Sequence, residues 1–242
     1  MDEVILLLAR ADSRPKFAFM VRLISFEGGD GSGKTTQLKL LDNYLASRGK
    51  LCLSTREPGG TTLGEMIRKI LLEAGKVEIA YPTELFLYLA DRAQHVHEVI
   101  RPALASGRLV LCDRFTDSTL AYQGYGRGVD LDMLRRLNQV ASHGITPDVT
   151  FLLDCPVEVG LSRARGRSSI IYSQSSKMED GGSRIEDRFE REKADFHERV
   201  RRGFLELARA EPQRIYVLDA SRLTEEVHHE IKKIVDEKLR DG

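Results

Sequence analysis

FEGGDGSGKTTQ, residues Phe26–Gln37, lies between an apolar run and a segment with helical periodicity, and how it is read decides the fold. Gly28, Gly33, Lys34 and Thr35 fit G-x-x-x-x-G-K-[ST], a loop that holds a nucleotide phosphate when it joins a strand to a helix. Glycines let backbone N–H groups curl around phosphate oxygens, and the following helix adds the positive end of its dipole. The expected cradle is Gly28, Gly29, Asp30, Gly31, Ser32, Gly33, Lys34, Thr35 and Thr36. Within it Lys34 would reach the outer phosphates, and the Thr35 hydroxyl would hold Mg²⁺. The loop says that a phosphate is gripped, not where it goes.

Outward from the loop the context is right. LISFE (Leu23–Glu27) reads as a buried strand, and Lys34–Ser47 as a helix with Leu38, Leu41 and Leu45 on one face, closed by Gly49. LCLST (Leu51–Thr55) is a second strand, and Thr62–Glu73 is helical. Thr83 is placed to cap a long helix running to Ser106, with Gly107 beyond it. RLVLCDR (Arg108–Arg114), VTFLLD (Val149–Asp154) and RIYVLD (Arg214–Asp219) are three more strands, and a last amphipathic helix covers Glu225 to Leu239. Strands alternating with helices predict an α/β fold: a five-stranded parallel sheet with helices on both faces. Ligands in such sheets bind beyond the carboxyl ends of the strands, where FEGGDGSGK, STREPGG and CDRF all begin.

Two segments fall outside that pattern. Residues 1–20, with VILLLA at Val4–Ala9, read as an extension outside the core of a domain covering 21–242, and Met20 would make a natural start. Gly166 to Asp187 is rich in Ser and Gly and flanked by Arg163, Arg165, Arg167, Arg184 and Arg188, the composition expected of a mobile lid over a phosphate site.

Composition removes other classes. Lys+Arg and Asp+Glu both number 37 in 242 residues, a balance that argues against a nucleic-acid or membrane-surface binder. VILLLA is too short to span a bilayer, and it follows Asp2 and Glu3 rather than the positive charge of a signal peptide. Cys52, Cys112 and Cys155 stand far apart, as reduced, buried thiols of a cytosolic protein. His95 and His97 face different sides of a helix, so no zinc site is expected.

Asp113, ending an apolar strand, is the candidate for a water-mediated Mg²⁺ contact; capping the next helix is the alternative. A regulatory GTPase would need N-K-x-D after a later strand, which is missing. Instead the chain carries a second set of recognition groups: REPGG (Arg56–Gly60), Tyr88 and Arg92 at i, i+4 on LFLYLADRAQH, and DRFTDSTLAYQG (Asp113–Gly124). An aromatic platform, a phosphate-binding arginine and polar base readers beside a phosphate loop make an acceptor site, so the reaction is phosphoryl transfer between nucleotides.

Taken in order, FEGGDGSGKTTQ, TREPGGT, LFLYLADRAQH, CDRFTDSTLAYQGYGRG, PDVTFLLD and DRFEREKADFHERV resemble bacterial thymidylate kinase over roughly Val21 to Leu239. That resemblance implies the P-loop nucleoside-monophosphate kinase fold, ATP and Mg²⁺, conversion of dTMP to dTDP for dTTP biosynthesis, a cytoplasmic location and a homodimer. It places Tyr88 on the thymine ring, moves Arg92 from phosphate to thymine edge, and puts Arg114 on the acceptor phosphate. Asp30 would contact the sugar 3′-hydroxyl, Thr119 the Watson–Crick edge, and Tyr122 would exclude a 2′-hydroxyl, with Arg56, Glu57, Pro58, Ser118 and Gln123 in the same pocket. Because Gly31 stands where one of the family's two layouts carries an arginine, the resemblance implies a charge-stabilising lid arginine, with Arg167 leading and Arg163 and Arg188 behind it. A kinase for another deoxynucleotide or a deoxynucleoside is the nearest alternative, and a non-catalytic nucleotide-binding protein the one from another class.

Overall fold

The structure is a computed structural model that describes residues 21–73, 78–175 and 192–240. Strand β1 (Leu23–Glu27) is buried along its whole length and lies at the centre of the sheet. It is flanked by β3 (Leu109–Asp113) and β4 (Val149–Asp154), with β2 (Cys52–Arg56) and β5 (Ile215–Asp219) at the edges. All pairings are parallel, in the order β2-β3-β1-β4-β5.

Successive side chains leave a strand on opposite faces, and the burial follows that alternation. Ile24 and Phe26, Leu109 and Leu111, and Val149, Phe151 and Leu153 share one face with Leu41 and Leu45 of α1 (Lys34–Ser47) and Ile231 and Val235 of α9 (Thr224–Arg240). Leu23, Val110 and Cys112 face the other way, against Val96, Ile100 and Ala103 among the helices that follow β2. These are α2 (Thr62–Glu73), α3 (Tyr81–His95), a π-helical turn at Val96–Ile100, and α4 (Arg101–Ala105). Beside them lie α5 (Thr116–Thr119), a π-helical stretch at Leu120–Gly126, α6 (Leu131–Ala141) and α8 (Ala194–Ala210). Each fully buried Leu or Phe in these layers contributes about 1.5–3 kcal/mol.

Three expectations need correction. The helix after residue 80 starts at Tyr81 with Ala80 as its N-cap and Pro82 in its first turn, so Thr83 lies inside it rather than capping it. It does not run evenly to Ser106, because one π turn interrupts it. Helix α7 (Val157–Ser175) continues ten residues into the segment read as a loop from Gly166. Residues 1–20 and 176–191, on which the extension and most of the lid were placed, lie outside the described residues.

The register sets the site. Phe26 pairs with Asp113 on one side and Phe151 on the other, so the carboxyl ends of β1, β3 and β4 finish together.

Candidate active site

The loop after β1 is shaped by its glycines. Gly28 has φ 134°, and a Cβ there would lie 2.4 Å from the Leu153 carbonyl oxygen. Gly33 caps α1 at φ 95° with no side-chain cap, and no acidic residue occupies the first turn. The orphan N–H groups of that helix end are left for an anion. Lys34 Nζ donates to Gly28 O at 3.1 Å and Gly29 O at 2.7 Å. Burial, then the charge of Arg114, push its pKa down to about 8. Thr35 Oγ1 donates to Asp113 Oδ2 at 2.5 Å, which joins the two oxygens expected to serve a cation. A hydroxyl and a carboxylate are hard donors that suit Mg²⁺, and no cluster of three His, Cys, Asp or Glu competes for a metal among the described residues.

Gly31 carries a further constraint. At φ 74° a Cβ on it would fall 1.8 Å from the carbonyl oxygen of Gly160 in α7, so this packing excludes any side chain there, arginine included.

Arg114 follows β3 with φ 69°, a left-handed conformation rare outside glycine and concentrated at functional sites. Both terminal nitrogens of its fork are engaged. Nη2 donates to Asp30 Oδ1 at 2.6 Å and Tyr122 OH at 3.1 Å, and Nη1 to Gly28 O at 3.0 Å and Ser118 Oγ at 3.2 Å. Burial alone would raise the Asp30 pKa, but Arg114, Lys34 and His197 together lower it. Behind Arg114, buried Glu27 accepts from Phe115 N at 2.7 Å and from Ser118 Oγ at 2.6 Å. Burial and the nearby Asp117 push Glu27 up to about 7.

Beside Arg114 a cavity of about 110 Å³ opens, lined by Asp30, Glu57, Pro58, Tyr88, Arg92, Arg114, Ser118, Thr119, Tyr122 and Gln123. Every residue expected in the acceptor pocket is thus brought together except Arg56, which pairs with Glu65 at 2.9 Å and lines the adjoining groove instead. That groove, about 920 Å³, is lined by Lys34, Thr35 and Asp113, and it shares Asp30 and Arg114 with the cavity. Arg92 is 2% exposed. It donates to Glu57 at 2.8 Å, Thr119 at 2.8 Å, Asn138 at 2.6 Å and the Phe115 carbonyl at 2.9 Å. A buried pair such as Arg92–Glu57 is strongly destabilising when one partner is removed, by about 3–5 kcal/mol.

A model of the family described as "Thymidylate kinase" matches residues 26–231. The chain belongs to the thymidylate kinase family. Among curated relatives, thymidylate kinase of Desulfovibrio desulfuricans is 51% identical over 219 residues, covering 90% of this chain and 96% of that protein. Thymidylate kinase of Geobacter sulfurreducens is 54% identical over 198 residues, covering 82% and 88%. The crystal structure of thymidylate kinase from Ehrlichia chaffeensis superimposes with a TM-score of 0.66 at 34% identity, covering 89% of this chain and 98% of that one. Thymidylate kinases transfer a phosphoryl group from ATP to dTMP, giving dTDP and ADP for dTTP synthesis, and that is the activity of this chain.

Several residues of this thymidylate kinase site were not found in the sequence. Arg68 and Leu72 of α2 line the cavity, and Arg68 donates to the Pro58 carbonyl at 2.9 Å. Asn138 and Glu84 hold Arg92 and Gln123 from behind. Asp91, pushed up to about 7 by burial and by Glu57, accepts from Gly59 N at 2.9 Å and fastens the EPGG turn. One signal was available: Glu84, Tyr88, Asp91, Arg92 and His95 form a polar stripe with helical spacing, and all but Tyr88 are buried. Arg167, the leading lid arginine, has no described side chain. Arg163 donates to the Ala220 carbonyl at 2.8 Å.

Proposed function

We propose that dTMP occupies the cavity and ATP the loop and groove, so that the phosphoryl group crosses at Arg114. The observation that carries this reading is that the two spaces share Asp30 and Arg114. Arg114 would hold the acceptor phosphate close to Lys34, Asp30 would meet the sugar 3′-hydroxyl, and Tyr122 would stand where a 2′-hydroxyl would fall. Tyr88, Arg92, Thr119 and Gln123 would read the base, with Ser118, Glu57 and Pro58 completing the wall. Arg56, at the groove, approaches from the donor side. Thr35 and Asp113 would hold Mg²⁺, which when bound offsets phosphate charge. A lid arginine, Arg167 first, would meet the charge that spreads over the equatorial oxygens in the transition state. A coupled ADP-release assay over nucleoside monophosphates tests the reading: dTMP is expected to turn over fastest, and faster turnover of dCMP, UMP or thymidine would overturn it.

We also infer a homodimer. Leu63, Met66 and Ile70 form an outward apolar stripe on α2, and exposed Phe86 lies on α3, which packs against α2. A stripe of that kind on a charge-rich chain fits a second copy of itself. Met66→Glu is expected to halve the mass seen by light scattering; a dimeric variant would move the interface elsewhere. The thiols of Cys52, Cys112 and Cys155 are free, with Cys52 only half-buried, which suits a reducing cytoplasm. No helix among the described residues is long and apolar enough to cross a membrane.

A further inference from the structure

The acceptor cavity carries one side-chain amide, Gln123, and its orientation is set from behind. Gln123 is 2% exposed and borders the cavity with Tyr88, Arg92 and Thr119. Its Nε2 donates to Glu84 Oε1 at 2.8 Å. Glu84 is fully buried in α3, and its Oε2 accepts from Arg127 Nη2 at 3.4 Å. Arg127 is itself confined, over the Tyr81 ring at 4.5 Å and the Phe196 ring at 4.4 Å, and paired with Glu192 at 2.6 Å. A carboxylate accepts hydrogen bonds and donates none, so Glu84 takes only the NH₂ end of Gln123. The amide is therefore fixed with its NH₂ end on Glu84, and its carbonyl oxygen, on the opposite branch, is the acceptor it can offer to the cavity. The π-helical stretch Leu120–Gly126 places Gln123 there, and such turns recur where a functional side chain must be aimed.

We propose that Glu84 is a positioning residue for base selection: by pinning the Gln123 amide it offers an acceptor to the ring N3–H of the pyrimidine, and so rejects cytosine. This rests on the reading that dTMP enters the cavity with its base towards Tyr88 and Arg92. Thymine and uracil carry a proton on N3 and give it to Gln123 Oε1. Cytosine has a lone pair on N3, which would face the lone pairs of Oε1 with no proton between them. A site that leaves buried polar groups unpaired discriminates strongly against the ligand that leaves them so. Uracil shares the N3–H, so the device separates dTMP from dCMP and not from dUMP.

Glu84→Gln tests it. Glutamine donates as well as accepts, so both orientations of the Gln123 amide become available. The ratio of kcat/KM for dTMP to that for dCMP is expected to fall by about tenfold or more, through KM, while the dTMP to dUMP ratio stays within about twofold. Gln123→Met lowers the first ratio as well, and adding Glu84→Gln to it changes that ratio no further. Should Glu84→Gln not fold, as read by thermal denaturation, Glu84→Met removes the acceptor at similar length and carries the same expectation. A wild-type chain with no preference for dTMP over dCMP would remove the base reading and the proposal with it. A wild-type preference that survives in the Glu84 variant, or turnover of all three nucleotides falling alike, would overturn the proposal alone.

Discussion

Arg114→Ala lowers kcat/KM for dTMP by at least about a hundredfold while the protein stays folded. The reason lies in what Arg114 touches. Its guanidinium is tied to Asp30, Tyr122, Ser118 and the Gly28 carbonyl, so four partners fix it at the junction of cavity and groove. On the proposed reading, a fork held in this way would meet the acceptor phosphate with little further ordering. The folded state should tolerate the change. Alanine at φ 69° carries the same left-handed penalty that arginine already carries, so the backbone term cancels. Asp30, Ser118 and Tyr122 border the cavity, where water can replace the lost donors. Glu27 sits deeper, but its bonds come from Phe115 and Ser118 and survive. Arg114→Lys restores charge without the fork and is expected to recover less than about tenfold. Steady-state kinetics with dTMP, beside melting curves, check this; near-normal kcat/KM in a folded Arg114→Ala protein would take Arg114 out of the mechanism.

How much of this was legible in the sequence varies with the distance over which each interaction acts. Helix α1 spans Lys34–Ser47 and β4 spans Val149–Asp154, the same bounds as in the sequence, because an apolar period between Gly33 and Gly49 defines the first and a short apolar run between two prolines, Pro147 and Pro156, the second. Most residues that line the cavity were legible because they travel in compact motifs, REPGG and DRFTDSTLAYQG at strand ends and LFLYLADRAQH on α3. The π turns were not: an extra residue in a helical turn follows from packing and leaves no mark in the local period. Composition misled at α7, where Ser and Gly suggested a loop. No proline interrupts residues 157–175, and a helix already nucleated propagates through mediocre formers. The supporting polar groups were hidden for another reason. Asn138 meets Arg92 across 46 positions and Glu27 meets Ser118 across 91, so nothing local says that these polar side chains are buried and paired.

Lys34→Met is expected to have the largest effect of all, lowering kcat/KM for ATP by at least about a thousandfold. Lys34 Nζ rests on the carbonyls of Gly28 and Gly29 and is 7% exposed. The incoming phosphates offer it stronger, charge-assisted partners, and methionine keeps the stem while removing the only part that can answer them. Arginine would not substitute, since a planar fork is bulkier than the ammonium that this closely walled position accommodates. The pH profile supplies a second reading. Burial and Arg114 hold the Lys34 pKa at about 8, so in the free protein its charge is lost as pH rises through that value. kcat/KM for ATP, which reports the free enzyme, should therefore fall above about pH 8. Bound triphosphate favours the charged ammonium, so kcat should hold to a higher pH before it declines. In Lys34→Met the alkaline limb of kcat/KM near pH 8 should vanish, because the group that titrates there is gone. If that limb persists in the variant, another group sets it and Lys34 does not carry the charge that binds the donor phosphates.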